Sequence, residues 1–165
     1  MSAPHPPTEP IKRFVGKWGP LSNFHPAQFT WASLMVPTSE HAYQLSKTLD
    51  PAMRGWVNEA SSPSEAKRRG QRVELRPGWD NIKLTVMRDI LEAKFTSKTV
   101  RERFLLGTSP AELVEGNTWH DNFWGDCTCG REACTEPGTN HLGRLLMELR
   151  TTLEERSGPH FRLPT

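Results

Sequence analysis

A chain of 165 residues with 35% hydrophobic and 24% charged side chains has a globular composition and enough length to bury a core. Its net charge of +2, from 21 basic and 19 acidic residues, neither demands nor excludes a nucleic-acid partner. No stretch approaches the roughly 20 apolar residues of a membrane-spanning helix, and the Pro-rich start holds no hydrophobic signal region, so a cytoplasmic protein with no membrane partner is expected.

Residues 1–10 read as a disordered lead, residues 11–15 as a first strand, and residues 16–20 as a turn-rich loop. Residues 27–31 and 34–36 read as two strands joined through Ala32 and Ser33 in a hairpin. A helix over residues 39–49 follows. Its Glu40, Tyr43, Gln44 and Lys47, spaced i, i+3, i+4 and i+7, share one face. Glu40 sits in the first turn after Pro37, where unpaired N–H groups and the helix dipole stabilise a carboxylate. Such a face is either a solvated surface or a site.

Residues 53–58 suit a short helix. Ser62 as cap, Pro63 at the first position and Glu65 at the third announce another, stopping near Gly70, the usual terminator. Its Lys67, Arg68 and Arg69 are either a solvated face or a phosphate contact. Residues 75–78 form a loop. Ile82, Val86, Met87, Ile90, Leu91 and Phe95 then recur with helical period, entered through Trp79 with Asp80 as N-cap. Residues 99–106 continue helically, Pro110 interrupts, and residues 112–115 read as a short strand.

Residues 116–139 lack periodicity, which in a domain of this size marks function or disorder. Asn140 opens a last helix with Leu142, Leu145, Leu146, Leu149 and Leu153 on its buried side. There is no internal repeat, no strand–helix alternation and no Gly-rich phosphate loop. The expected fold is α+β: a single compact, mainly helical domain around a small β-sheet over residues 11–156, with a loose tail over residues 157–165.

Two places concentrate chemistry beyond the helix at residue 40. The segment 117–126 holds Asp121, Asp126, Trp119, Trp124 and Gly125, either as a binding loop or as a turn in which Asp only caps. Glu40 and Asp121 together would supply the paired carboxylates of glycosidic cleavage, against the plainer reading of two separate surface acids. The three cysteines all fall between Cys127 and Cys134, which argues against a disulfide framework. Cys127, Cys129 and Cys134, with His120 or His141 as the fourth ligand, suit a structural zinc site; reduced thiols in a loop are the alternative.

Several segments in order resemble the NADAR family, including its YbiA-like members. They are Leu21-Ser22-Asn23-Phe24; Pro37 to His41 with Gln44 and Lys47; Ser62-Pro63 with Ala66-Lys67 and Gly70; and Leu75-Arg76 with Trp79-Asp80, Lys83 and Met87. Lys94-Phe95, Leu113-Val114-Glu115, Asp121 with Trp124-Gly125-Asp126, and Asn140 with Leu142-Gly143 and Leu146-Met147 complete the series. The resemblance implies an N-glycosidase that needs no cofactor and hydrolyses a ribosyl–nitrogen bond. The bond lies either in early riboflavin-pathway intermediates or in ADP-ribosylated guanine of nucleic acid, the latter sometimes opposite a cognate DNA ADP-ribosyltransferase toxin.

The family's site positions fall on Glu40, Trp79 and Asp121, with Trp124 beside them. Glu40 would activate water or stabilise the cation, Asp121 would bind ribose hydroxyls or share acid–base work, and Trp79 and Trp124 would stack on the base. Asn23 and Gln44 would orient polar edges, and Phe24, His41, Lys67, Gly125 and Asn140 would contact substrate. Lys47 would bind phosphate, depress the carboxylate pKa or act as an amine nucleophile. A non-catalytic ADP-ribose reader and a zinc-stapled interaction module are the rival classes. The cysteine-bearing loop after residue 126 departs from the simpler YbiA-like members.

Overall fold

The structure, a computed structural model, describes residues 6–96 and 100–157. The chain falls into two compact units: Asn23–Lys94, and Met1–Ser22 with Phe95–Thr165, so that the first is inserted in the sequence of the second. Residues 1–5 of the expected lead, Thr99 of the expected helix 99–106 and residues 158–165 of the expected tail lie outside the described residues.

In Asn23–Lys94, β1 (Phe29–Trp31) pairs antiparallel with β2 (Leu34–Val36), Phe29 opposite Val36 and Trp31 opposite Leu34. Ala32 and Ser33 both take positive φ, 49° and 65°, as a two-residue turn matched to the strand twist requires. Helix α1 (Ser39–Leu45) is capped by Thr38, whose hydroxyl accepts the His41 N–H. Helix α2 (Pro51–Asn58) is capped by Asp50, which accepts from Ala52 and Met53. Helix α3 (Pro63–Gly70) shows all three expected start signals. Ser62 accepts the Glu65 N–H, and Glu65 Oε2 reaches back to the N–H and hydroxyl of Ser61. α1 packs against α2, α3 and β2, and all seven of its residues are buried. Helix α4 (Trp79–Phe95) buries Met87, Ile90, Leu91 and Phe95, as its periodicity predicts.

Several details differ from expectation: the strand expected over residues 27–31 spans Phe29–Trp31, and the helix expected over residues 53–58 starts at Pro51. α1 ends at Leu45, not residue 49, because polar side chains next to it take up backbone groups. The Ser46 hydroxyl donates to the Ala42 carbonyl at 2.7 Å, Thr48 Oγ1 accepts the Asp50 N–H at 3.2 Å, and Asp50 already caps α2. Asp80 is not an N-cap; it lies inside the first turn of α4 and pairs with Lys83 at 2.9 Å. Gly70 does close α3, but the residue after it, Gln71, has ordinary helical angles (φ −77°), so no left-handed terminator operates there.

The second unit carries a 3₁₀ turn at Gly16–Leu21, helix α5 (Val100–Leu106), strands β3 (Gly116–Asn117) and β4 (Asp126–Cys127) paired in parallel, a 3₁₀ turn at Glu132–Cys134, and helix α6 (His141–Ser157). The five leucines predicted for the inner side of α6 are all 7% exposed or less, each stabilising by about 1.5–3 kcal/mol on burial. Ser157, first residue of the expected tail, is the last of α6.

The two strands expected at residues 11–15 and 112–115 shrink to one parallel bridge, Ile11 to Leu113. The facing groups carry three bonds, Ile11 N–H to the Glu112 carbonyl, Val114 N–H to the Ile11 carbonyl and Gly116 N–H to the Lys12 carbonyl, and on the opposite edge of residues 112–115 a side chain takes the alternate groups. Asn140 donates to the Leu113 carbonyl at 2.9 Å and accepts the Glu115 N–H at 3.0 Å. Arg150, 7% exposed, holds the preceding turn through Thr108 Oγ1 and the Ala111 carbonyl at 3.0 and 2.9 Å.

Candidate active site

The polar face of α1 is not a solvated surface. Glu40 is 7% exposed and Gln44 3%. Gln44 Nε2 donates to Glu40 Oε1 at 2.7 Å, a charge-assisted bond that fixes one carboxylate oxygen. The Glu40 N–H donates to the Asn23 carbonyl at 3.0 Å, so Asn23 braces the same turn from the preceding segment. Asn23 Nδ2 points to Met87 Sδ at 3.5 Å. The other amide oxygens, Asn23 Oδ1 and Gln44 Oε1, are buried and make no hydrogen bond among the described residues. Buried acceptors of this kind are uncommon, and that of Gln44 faces Gly70 of α3.

Lys47 lies just past the end of α1, half-buried, its amine 5.4 Å from the Tyr43 ring centre. Its carbonyl accepts the Arg76 N–H at 2.7 Å, which fixes the backbone from which the amine extends. Burial pushes the Lys47 pKa below its ordinary value. Glu40 raises it, while Lys67 and Lys83 lower it further. An acid and three amines therefore share one field. Lys83 went unassigned as a site residue from sequence, although it stands one helical turn after Trp79 and so on the same side of α4.

The basic run on α3 divides. Lys67 joins the Lys47 field. Arg69 is committed elsewhere: it pairs with Glu65 at 2.6 Å, donates to the Trp56 carbonyl and lies 5.1 Å from the Trp56 ring centre. Arg68 is exposed. His41 is 1% exposed, with Nδ1 2.8 Å from the Thr38 hydroxyl and Nε2 3.1 Å from the Ala60 carbonyl. The Ala60 carbonyl can only accept, so the ring carries its proton on Nε2 and Nδ1 accepts from the Thr38 hydroxyl. Burial holds the His41 pKa low. Both ring nitrogens are engaged inside the protein, and His41 serves as a brace. Trp79 is 6% exposed and tilted 52° against Tyr43, 5.3 Å between centres, so much of the ring expected to stack on a base meets protein. Phe24 is 40% exposed.

The segment 117–126 belongs to the other unit and is ordered by its own polar groups. Asn117, 2% exposed, accepts the N–H groups of Trp119 and Asp121 and donates to the Asp121 carbonyl at 2.7 Å. Asp121 Oδ1 accepts from Phe123 at 3.2 Å and Trp124 at 2.8 Å, the capping duty the plainer reading anticipates, while Oδ2 makes no hydrogen bond among the described residues. Trp124 packs edge-on to Phe123 at 5.0 Å, and Phe123 lies 4.5 Å from His141. Gly125 is required by packing: a Cβ there would stand 2.1 Å from the Glu115 carbonyl oxygen. Asn140 spends its amide on Leu113 and Glu115, as above, and is a brace.

In the same unit His120, Cys127, Cys129 and Cys134 bring one ligand atom each within 4.8 Å of all the others, a cluster able to hold a metal ion. His120, not His141, is the fourth member. Burial pushes the Cys134 thiol up to about 12, helped by the neighbouring thiols. Burial also raises Cys127, but hydrogen bonds from Cys129, Cys134 and the His120 N–H outweigh it and leave its pKa lowered. Among the described residues no helix is long and apolar enough to cross a membrane.

The chain is 41% identical over 138 residues to N-glycosidase YbiA of Escherichia coli (strain K12), covering 82% of each protein. It is 36% identical over 141 residues to riboflavin biosynthesis protein VVA0006 of Vibrio vulnificus, covering 84% of this chain and 36% of that one. The NMR structure of E. coli YbiA superposes with a TM-score of 0.79 at 36% identity, covering 98% of this chain and 95% of that one, and agrees with the α+β fold expected from sequence. The NADAR domain model matches residues 12–154, across both units. The chain belongs to the NADAR domain family.

Proposed function

We propose that this protein is an N-glycosidase that hydrolyses the ribosyl–nitrogen bond of an early riboflavin-pathway intermediate. The observation that carries the reading is the buried carboxylate of Glu40, fixed by Gln44, in one field with the half-buried amine of Lys47, to which Lys67 and Lys83 add positive charge. Relatives named N-glycosidase and riboflavin biosynthesis protein support the reaction class and the substrate class. A ribosyl phosphate suits a field of lysines, with Lys67 and Lys83 as its phosphate ligands.

The lowered pKa of Lys47 favours the amine role among the three open to it. Its nitrogen bonds to the anomeric carbon, the ribosyl–nitrogen bond breaks, and the pyrimidine leaves with the electron pair and gains a proton. Glu40 takes the proton released by the amine. Water then cleaves the lysine–ribosyl adduct, releasing the sugar and restoring the amine. Asn23 and Gln44 orient polar edges of the substrate. Asp121 enters on the family resemblance alone, as a ligand of ribose hydroxyls, with Trp124 beside it. The cysteine cluster has a structural part, zinc held as a staple and not as a Lewis acid. The reading has the enzyme working in the cytoplasm, where thiols stay reduced.

The deciding assay runs the riboflavin intermediate and ADP-ribosylated DNA side by side, with cyanoborohydride added to trap a ring-opened imine on the lysine. Release of ribose 5-phosphate and a cyanoborohydride-dependent mass increase at Lys47 are expected. Faster turnover of the DNA would shift the substrate to ADP-ribosyl-guanine and the partner to a cognate ADP-ribosyltransferase toxin. Binding without turnover of either substrate would make the protein a reader and sink the proposal.

A further inference from the structure

We propose that His120, Cys127, Cys129 and Cys134 form a closed, four-coordinate zinc site that fixes the loop carrying Asp121 and Trp124. The four ligand atoms lie close enough together to meet one ion. His120 Nδ1 lies 3.3 Å from Cys129 Sγ and 3.4 Å from Cys134 Sγ. Zinc bonds of about 2.3 Å to sulfur and about 2.0–2.1 Å to nitrogen give a tetrahedral sulfur–nitrogen edge of about 3.5–3.6 Å and a sulfur–sulfur edge of about 3.8 Å. All four atoms lie within 4.8 Å of one another, so the four side chains converge on a volume of ionic size.

The backbone is bent to bring them there. His120 stands at φ 68°, a left-handed conformation uncommon outside glycine, and Gly130 at φ 80° turns the chain just after Cys129. The His120 N–H donates to Cys127 Sγ at 3.3 Å, an outer contact of the kind that orients a thiolate ligand. All three cysteines are free thiols although they sit side by side. Thiols are weak donors and weak acceptors, so mutual contact among three of them gives little by itself.

The segment also needs a staple. Between Gly116 and Asn140 there are two two-residue strands and one three-residue 3₁₀ turn, with few apolar side chains to bury. A donor set of three sulfurs and one imidazole selects zinc over magnesium, calcium or manganese. With four protein ligands no position is left for water or substrate, so the ion is structural. His120 directly precedes Asp121, and the Cys127 N–H donates to Asn122 Oδ1 at 2.8 Å, so ligation holds both ends of the turn whose amides reach Asp121. These four residues act on any chemistry of Asp121 as positioning residues.

The test needs no substrate and is therefore independent of the glycosidase reading. The full chain, purified under reducing conditions without chelator, is analysed for metal. One zinc per chain is expected, released by a thiol-modifying reagent, with a lower melting temperature after release. Cobalt exchanged into the protein should show the strong visible bands and thiolate charge transfer of a tetrahedral S₃N site. His120→Ala and Cys134→Ser should each lower zinc occupancy at least tenfold, and His120→Cys should restore it. If either single variant fails to fold, the metal content and cobalt spectrum of the unaltered chain decide alone. A folded chain without stoichiometric metal, whose cobalt form is pale and octahedral, overturns the proposal.

Discussion

Gly70→Ala tests whether the carboxylate of Glu40 depends on its neighbour. Gly70 lies on α3, and a methyl group there would stand 2.0 Å from Gln44 Oε1 and 2.8 Å from Gln44 Cβ and Cδ. The far end of the glutamine can swing aside, but its Cβ cannot. Alanine is otherwise the better helix former, by about 1 kcal/mol. Against that gain stand overpacking of about 1–3 kcal/mol if Gln44 stays, or loss of a charge-assisted hydrogen bond of about 1.5–3 kcal/mol if it leaves. A net loss of up to about 2 kcal/mol follows, which lowers the melting temperature of a chain this long by up to about 8 °C. Turnover should fall further than stability, about tenfold or more, because the displaced amide is the one that fixes Glu40 Oε1 at 2.7 Å. Denaturant unfolding and initial rates on the riboflavin intermediate measure both. A Gln44→Ala background removes the contacts with Oε1 and Cδ, so the two substitutions should be less than additive. Gly70→Ala that is more stable than the parent, fully active and additive with Gln44→Ala would refute the reasoning.

Glu40→Gln should keep the fold and lower turnover by about a hundredfold or more, the range of a lost acid–base group; an unchanged rate rules out the role given to Glu40. Lys47 has a folded-state pKa below 10.5, so between that lowered value and 10.5 the unfolded chain holds more protons and stability rises with pH. Lys47→Met should therefore be inactive yet more stable than the parent near neutrality, with the advantage shrinking as pH approaches 10.5 in thermal melts across pH. Glu65 shows the opposite sign. Its hydrogen bonds to Ser61 and Arg69 bring its pKa from 4.5 down to about 2, so its contribution is complete above pH 4.5 and vanishes as pH falls through about 2. The destabilisation of Glu65→Gln should follow that window in acid titrations, and a deficit that persists below it would contradict the cap geometry.

Much of this was legible because local chemistry decides it. The Ser62, Pro63 and Glu65 signals satisfy their bonds within a few residues, and the leucine stripe of α6 needs only its own period. Burial of the α1 face was not legible, since Glu40, Tyr43, Gln44 and Lys47 have the same spacing whether water or protein covers them. Only the packing of α2, α3 and β2 around α1 distinguishes the two cases. The choice between His120 and His141 turned on which imidazole reaches the three thiols, which sequence spacing does not announce. His41 and Asn140 bond the Ala60, Leu113 and Glu115 backbones, partners distant in sequence that no motif announces. The run of Lys67, Arg68 and Arg69 reads as one patch in sequence, yet Glu65 and Trp56 draw Arg69 away from Lys67.

The insertion of Asn23–Lys94 within the other unit also sets an order of events during synthesis. Every residue of that unit has left the ribosome before the last helix, α6, is made, so its hairpin and four helices can settle while the rest is still emerging. The bridge from Ile11 to Leu113 waits for a partner about a hundred positions away, a loop closure of the slow, non-local kind. The first segment of the chain, then, is among the last to find its place.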